Sequence, residues 1–213
     1  TLAGIDFIAF DITNANTYPS VYLKLFRIMD EYQKEGWDVP KVAFFTHSIS
    51  INTMKRLYYN LYKENQFPNL WYYYKGKPLI IGYTDIMDDL DERVGSDFTD
   101  YYPTEIPTEM LNFFSFRRPQ WPNEGRNHAD GWPYVEWDYP QPLHTDVLSV
   151  SVASHHYALM SQAYFNRSLC WGRGYDFNTN QNVASNADRG TFFQAQWNHA
   201  FKVDPEIVFV GGW

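Results

Sequence analysis

Carboxylate and imidazole side chains follow apolar runs in this sequence, and they have the chemistry to cleave a bond. Asp11 follows the apolar run 5–10, and His47 follows the run 41–46. Glu136 lies further along, in a stretch rich in aromatic residues. A glycosidic bond is cleaved by two carboxyl groups that flank it, one acting as acid and the other as base or nucleophile. We therefore take Asp11, Glu136 and His47 as catalytic candidates.

The sequence offers more carboxyl groups than this reaction needs, so the catalytic pair stays open. The candidate acids are Asp11, Asp85, Glu124, Asp130 and Glu136. Other polar or aromatic groups that follow the apolar runs are Asn14, Arg117, Arg118, His155, His156 and Trp213. Such donors and acceptors suit the hydroxyls of a neutral sugar, and aromatic rings, 19% of this chain, pack on its C–H faces. We expect Asn14, Asp85, Arg117, Asp130, His155, His156 and Trp213 to bind substrate.

Short apolar runs predict the strands that position these groups. The predicted strands are 5–10, 41–46, 78–83, 111–116, 147–152 and 206–211. Apolar residues at helical spacing predict helices over 19–36 and 50–65, the second with Ser48 or Ser50 as its N-cap. Weaker helical patterns cover 155–165 and 189–202. Two excursions interrupt this order, an acidic one over 84–106 and a long one over 117–146 of the kind that is often functional.

Continuous apolar strands separated by helices are typical of a parallel sheet covered by helices. We predict one α/β domain over residues 1–213, a parallel (β/α) barrel of TIM type with about six of its eight strands. The missing strands predict a chain truncated at both ends. Ligands of such folds bind at the carboxyl ends of the strands, where the candidates above lie.

Charge and cysteine content exclude several classes. The net charge is −8 and no basic cluster occurs, so nucleic acid is not an expected partner. Cys170 is the only cysteine, which excludes an internal disulfide and a Cys-rich zinc site. No apolar stretch approaches the roughly 20 residues of a membrane span, and the N-terminus lacks a signal-peptide pattern.

Two other chemistries fit the sequence less well. His47, His155 and His156 with Asp11 offer metal ligands, but adjacent histidines rarely project the same way and no His-x-x-x-His spacing is present. Ser48 lacks the Gly-x-Ser-x-Gly elbow of a serine hydrolase. We expect neither a metal nor another cofactor.

Several phrases in order resemble bacterial glycoside hydrolase-like proteins grouped with families 71 and 99. They are "GIDFIAFDITNANTY" (4–18), "VPKVAFFTHS" (39–48), "WYYYKGKPLIIG" (71–82), "DGWPYVEWDYPQP" (130–142), "VLSVSVASHHY" (147–157) and "FFQAQWNHAFKVDPEIVFVGGW" (192–213). The resemblance spans nearly the whole chain. It implies a (β/α)8 barrel that acts on α-linked glycans, such as α-1,3-glucan or mannose-containing glycans, in secreted or periplasmic proteins.

The resemblance also implies which residues line the cleft. The residues at matching positions are Asp11, Asn14, His47, Trp132, Glu136, Trp137, His155, Gln196 and Trp197. In that family the last phrase continues past its Trp with Asn-Glu-Trp, which implies a further carboxylate after Trp213. We therefore expect a glycoside hydrolase that cleaves an α-glycosidic bond in a polysaccharide or glycan. The alternative is a non-catalytic carbohydrate-binding barrel, which would lack that carboxylate.

Overall fold

A computed structural model describes residues 4–91, 103–121, 128–155 and 170–211 of the chain. The chain divides into two compact units, Thr1–Pro119 and Gln120–Trp213, and each is described by itself. The single domain expected from chain length stays a prediction. Within the described ranges, no helix combines the length and the apolar character needed to cross a membrane.

The first unit is built on parallel strands. Its strands are β1 (Phe7–Ile12), β2 (Lys41–Thr46), β3 (Tyr73–Tyr74), β4 (Lys77–Ile81) and β5 (Ser115–Gln120). Strands β1, β2, β4 and β5 lie side by side in that order, each parallel to the next. The short β3 pairs antiparallel with β4 through a turn at Gly76, whose φ of 82° suits glycine. The last residue of β5, Gln120, belongs to the second unit, which also contains β6 (Gly131–Pro133).

Helices connect the strands of the first unit. They are α1 (Pro19–Lys34), α2 (Ser50–Leu57) with a π-helical turn at Tyr58–Tyr62, a 3-10 turn at Pro68–Leu70, α3 (Ile86–Asp91) and α4 (Thr108–Phe113). The helices predicted over 19–36 and 50–65 are confirmed, and α3 lies within the acidic excursion. The strand predicted over 111–116 is wrong in its first half, because α4 occupies it and β5 begins at Ser115. A short apolar run does not distinguish a helix from a strand by periodicity alone.

Aromatic rings fill the core of the first unit. Phe26 of α1 packs edge-on against Phe44 of β2 and against Trp71, with ring centroids 6.2 Å and 5.7 Å apart. Tyr62 lies 4.4 Å from Trp71 and 4.8 Å from Phe114. These residues are buried in one hydrophobic cluster. A large part of the high aromatic content therefore serves the core, where such rings bury most of their area.

The second unit combines short strands with one long helix. Its further elements are β7 (Val147–Ser151), β8 (Ser154–His155), β9 (Cys170–Trp171), β10 (Tyr175–Asp176), β11 (Gln181–Asn182), a 3-10 helix at Ala184–Arg189, α5 (Thr191–Val203) and β12 (Ile207–Gly211). Strands β7 and β12 are parallel, whereas β8 with β9 and β10 with β11 are antiparallel pairs. The strands predicted over 147–152 and 206–211 and the helix over 189–202 are confirmed. The chain thus has a mixed α/β fold with a mainly parallel central sheet, while closure into a TIM-type barrel stays a prediction.

Candidate functional site at the carboxyl edge of the first sheet

The carboxyl ends of the parallel strands in the first unit form one edge, which we name the carboxyl edge. The register pairs Asp11 of β1 with Phe45 of β2, so the two strands end together. The N–H of Ser48 donates to the carbonyl of Thr13 at 2.9 Å, and the N–H of Gly82 donates to the carbonyl of Arg117 at 2.8 Å. The residues that follow β1, β2, β4 and β5 are therefore held at the same edge, as parallel strands require.

Four side chains meet at this edge, and we name them the edge cluster: His47 after β2, Tyr83 after β4, Asp88 of α3 and Arg118 of β5. The imidazole of His47 lies edge-on to the ring of Tyr83, with centroids 5.6 Å apart. The guanidinium carbon of Arg118 lies 5.0 Å from the centre of the same ring, and Arg118 forms an ion pair with Asp88. Imidazole, phenol, guanidinium and carboxylate groups thus converge where α/β sheets bind ligands.

His47 is uncharged near neutral pH in this environment. Its side chain is only 5% exposed. Burial, aided by the positive charge of Arg118, lowers the pKa of His47 to about 4. A neutral imidazole carries one donor and one acceptor nitrogen.

A hydroxyl network beneath the edge cluster joins β2, α2 and β4. The Oγ1 of Thr46 donates to the carbonyl of Ile81 at 2.8 Å and lies 2.6 Å from the Oγ of Ser50. The N–H of Tyr83 donates to the same Ser50 Oγ at 2.9 Å. Gly82 is required beside this network, because an added Cβ would lie 2.6 Å from the Oγ1 of Thr46 and 2.8 Å from the Oγ of Ser50. The network fixes the backbone that carries His47 and Tyr83.

The N-terminus of α2 is capped by a residue of α3. Neither Ser48 nor Ser50 caps it as predicted; the N-cap residue is Ile49, with φ 52° and no side-chain cap. Instead, the buried carboxylate of Asp89 accepts the N–H of Ser50 at 2.8 Å and of Ile51 at 3.2 Å. A carboxylate at this position satisfies two unpaired donors and interacts favourably with the helix dipole.

The predicted residues of the first unit lie at or near this edge in different roles. Asp11 is exposed, and its Oδ1 accepts the N–H and the hydroxyl of Thr13 at 3.0 Å and 2.7 Å. Asn14 donates to the hydroxyl of Tyr18 at 2.7 Å. Asp85 accepts the N–H of Met87 at 2.7 Å and so begins α3. These hydrogen bonds shape the loops that follow β1 and β4.

The two arginines that follow one another on β5 have different partners. Arg117 donates to the hydroxyl of Tyr74 at 2.8 Å, and its guanidinium carbon lies 4.4 Å from the centre of that ring. Arg118 instead joins the edge cluster. Successive side chains of a strand point to opposite faces, which explains the difference. Of the two, Arg118 is the better placed for a ligand at the carboxyl edge, although the sequence favoured Arg117.

In the second unit, Glu136 forms a buried pair with His144. The Nε2 of His144 lies 2.6 Å from the Oε1 of Glu136, and Glu136 is only 8% exposed. The carbonyl of Glu136 accepts the hydroxyl of Ser154 at 2.9 Å, just beyond the carboxyl end of β7. The pair fixes the rotamer of Glu136 and links the two ends of the segment 136–144.

Trp132 is too buried to offer its ring to a ligand. It is 1% exposed, and its indole N–H donates to the Oδ1 of Asp146 at 3.2 Å. Burial, with a contribution from the negative charge of Glu206, raises the pKa of Asp146. Trp132, which we expected to line the cleft, therefore occupies a core position. Trp137 is half-buried.

The candidates on and near α5 serve packing between α5 and β7. The side-chain Oε1 of Gln196 accepts the N–H of Ser151 at 2.8 Å. The backbone carbonyl of Gln196 accepts a hydrogen bond from the Nε2 of Gln141 at 3.0 Å. Trp197 packs beside the buried cluster of Leu148, Val150 and Ala200.

The remaining candidates lie away from α5. Asp130 is exposed in a turn, and His155 lies in β8. Glu124, His156 and Trp213 lie outside the described residues.

Sequence reasoning missed several members of these clusters. Tyr83 is the last residue of the third predicted strand, 78–83; Asp88 and Asp89 lie in the acidic excursion 84–106, and His144 lies in the long excursion 117–146. The position of Tyr83 at a strand end was the one available signal. Among the described residues, no group of three or more His, Cys, Asp and Glu side chains is arranged to hold a metal ion.

Comparison with known proteins adds no assignment. No protein-family model matches the chain, and neither a curated protein nor a solved structure matches it significantly. The candidate function therefore rests on the chemistry of the residues and on the geometry above.

Proposed function

We propose that this protein is a glycoside hydrolase that cleaves an α-glycosidic bond in a neutral glycan held at the carboxyl edge. The observation that carries the proposal is the exposed Asp11 at the carboxyl edge, together with the edge cluster whose His47 and Tyr83 are buried at the same edge. Neutral and charged donors and acceptors at one edge suit a ligand with many hydroxyls. The sequence resemblance gives the α-linkage, the TIM-type barrel and a secreted or periplasmic location, all of which belong to this proposal.

Asp11 supplies the carboxylate of the carboxyl edge for the proposed chemistry. It is exposed at the end of β1, and Thr13 orients its Oδ1. Glu136, which His144 orients in the second unit, is a separate carboxylate candidate. Carboxyl groups of glycosidases act as acid, base or nucleophile, and oriented side chains do so without a reorganisation cost.

A non-catalytic glycan-binding domain is the second candidate, and one observation favours it. The other carboxylates near the carboxyl edge already have structural partners: Asp85 begins α3, Asp88 pairs with Arg118, and Asp89 caps α2. Such groups position the loops and leave fewer carboxylates for acid–base chemistry.

Parallel measurements of cleavage and binding separate the two candidates. The protein is incubated with a panel of neutral α-linked gluco- and manno-oligosaccharides, new reducing ends are quantified, and binding is followed by titration calorimetry. Cleavage of at least one oligosaccharide supports the hydrolase. Binding without cleavage supports the glycan-binding domain, and the absence of both contradicts the proposal.

A further inference from the structure

The second unit contains an open cleft that none of the predicted catalytic residues lines. Its volume is about 710 Å³, within the range of small-molecule sites. It is enclosed by the β10–β11 hairpin, the segment before α5 and the first turns of α5. The residues that line it include Tyr139, Asp176, Phe177, Arg189, Gln194 and Asn198.

Two stacked aromatic rings form one wall of the cleft. The rings of Tyr139 and Phe177 are nearly parallel, with centroids 3.5 Å apart and planes at 13°. Both rings are half-buried and pack against the buried cluster of Trp171, Tyr175 and Phe192. The buried cluster therefore supports the two rings, which still contact solvent. An aromatic platform for a sugar ring requires both properties.

Other residues that line the cleft carry hydrogen-bond donors and acceptors with spare capacity. The Nε2 of Gln194 donates to the Oδ1 of Asn198 at 2.9 Å, which leaves the Oε1 of Gln194 and the Nδ2 of Asn198 available. The Oδ1 of Asp176 accepts the N–H of Asn178 at 2.8 Å. Within the part of the chain that the structure describes, neither Asp176 nor Arg189 forms an ion pair. One positive and one negative charge leave the cleft without a net charge.

We propose that this cleft is a second carbohydrate-binding site, which takes a segment of a neutral oligosaccharide. The aromatic wall packs on the C–H face of a sugar ring, and the amides of Gln194 and Asn198 bond its hydroxyls. The balanced charges of Asp176 and Arg189 do not favour an anionic sugar over a neutral one. The site needs no catalysis, and it stands whether or not the carboxyl edge cleaves a glycan.

Calorimetric titration with neutral α-linked gluco- and manno-trisaccharides tests the cleft, with trigalacturonate as the charged comparison. The double variant Gln194→Ala with Asn198→Ala removes two exposed amides from a helix without inserting bulk. We expect it to weaken binding of the neutral trisaccharide about tenfold, the effect of losing hydrogen bonds from two side chains. Gln181→Ala, an exposed amide on β11 that does not line the cleft, is the matched control and retains wild-type affinity.

The results also separate this site from the carboxyl edge. Asp11→Asn leaves binding at the cleft unchanged, and the side-chain amide resonances of Gln194 and Asn198 shift when the trisaccharide is added. The proposal is overturned if the double variant binds as the wild type does, if no neutral trisaccharide binds, or if only trigalacturonate binds.

Discussion

Replacing His47 with Gln should remove a pH-dependent contribution to the stability of the protein. Folding lowers the pKa of His47 to about 4 from an ordinary value near 6.5. The unfolded chain therefore binds a proton between these two pH values while the folded protein does not. Stability that is present above about pH 6.5 is consequently lost as the pH falls. Gln keeps a donor and an acceptor in the side chain but does not titrate.

The size of the effect follows from the pKa difference. A difference of about 2.5 units corresponds to about 3 kcal/mol when it is fully expressed at low pH. Between about pH 8 and about pH 5 the same linkage removes about 2 kcal/mol, because most of the unfolded chains are then protonated at this residue. The burial of His47 and the charge of Arg118 both act in this direction.

Urea denaturation followed by far-UV circular dichroism measures this contribution. The free energy of unfolding is determined for the wild type and for His47→Gln at several pH values, and the difference between the two proteins is compared. We expect the advantage of the wild type over the variant to shrink by about 2 kcal/mol between about pH 8 and about pH 5. A difference that does not change with pH, or that grows as the pH falls, would refute a buried neutral imidazole at this position.

Four further substitutions test the structure around the candidate sites. Gly82→Ala should lower the free energy of unfolding by about 1–3 kcal/mol, because its Cβ has no space, and an unchanged melting temperature would contradict this. Asp89→Ala should cost about 1–3 kcal/mol in urea denaturation, because two helix N–H groups lose their acceptor; equal stability would show that the cap is dispensable. Trp137→Ala should weaken oligosaccharide binding by about 1–3 kcal/mol in calorimetry if its ring stacks on a sugar. Trp132→Phe, at a buried position, should leave that affinity unchanged, and the reverse pattern would place the stacking ring at Trp132.

The architecture of the strands could be predicted from the sequence because their apolar runs are continuous. The runs that became β2, β7 and β12 match the structure to within one residue. The run 111–116 failed because the adjacent Phe113 and Phe114 fit a helix end as well as a strand. Only tertiary contacts decide such short segments.

The candidate site was harder to predict than the strands. The carboxyl edge followed from the parallel order, and Asp11 and His47 lie on it as expected. The sequence did not predict the direction of the side chains at strand ends or the cap that Asp89 provides for α2. Both depend on how segments far apart in the chain pack together. Neighbouring residues of one strand, such as Arg117 and Arg118, face opposite ways, so a shift of one position changes the assignment.

Release of reducing ends from an α-linked oligosaccharide tests the proposed hydrolase most directly when two matched variants are compared. Asp11→Asn removes the charge at the carboxyl end of β1 while its Oδ1 can still accept from Thr13. Asp6→Asn makes the same change next to the amino end of that strand, far from the proposed chemistry. We expect the wild type and Asp6→Asn to cleave the oligosaccharide at similar rates, whereas Asp11→Asn loses at least about a hundredfold in rate. Equal rates for all three proteins, or no cleavage by the wild type, would contradict a catalytic role for Asp11.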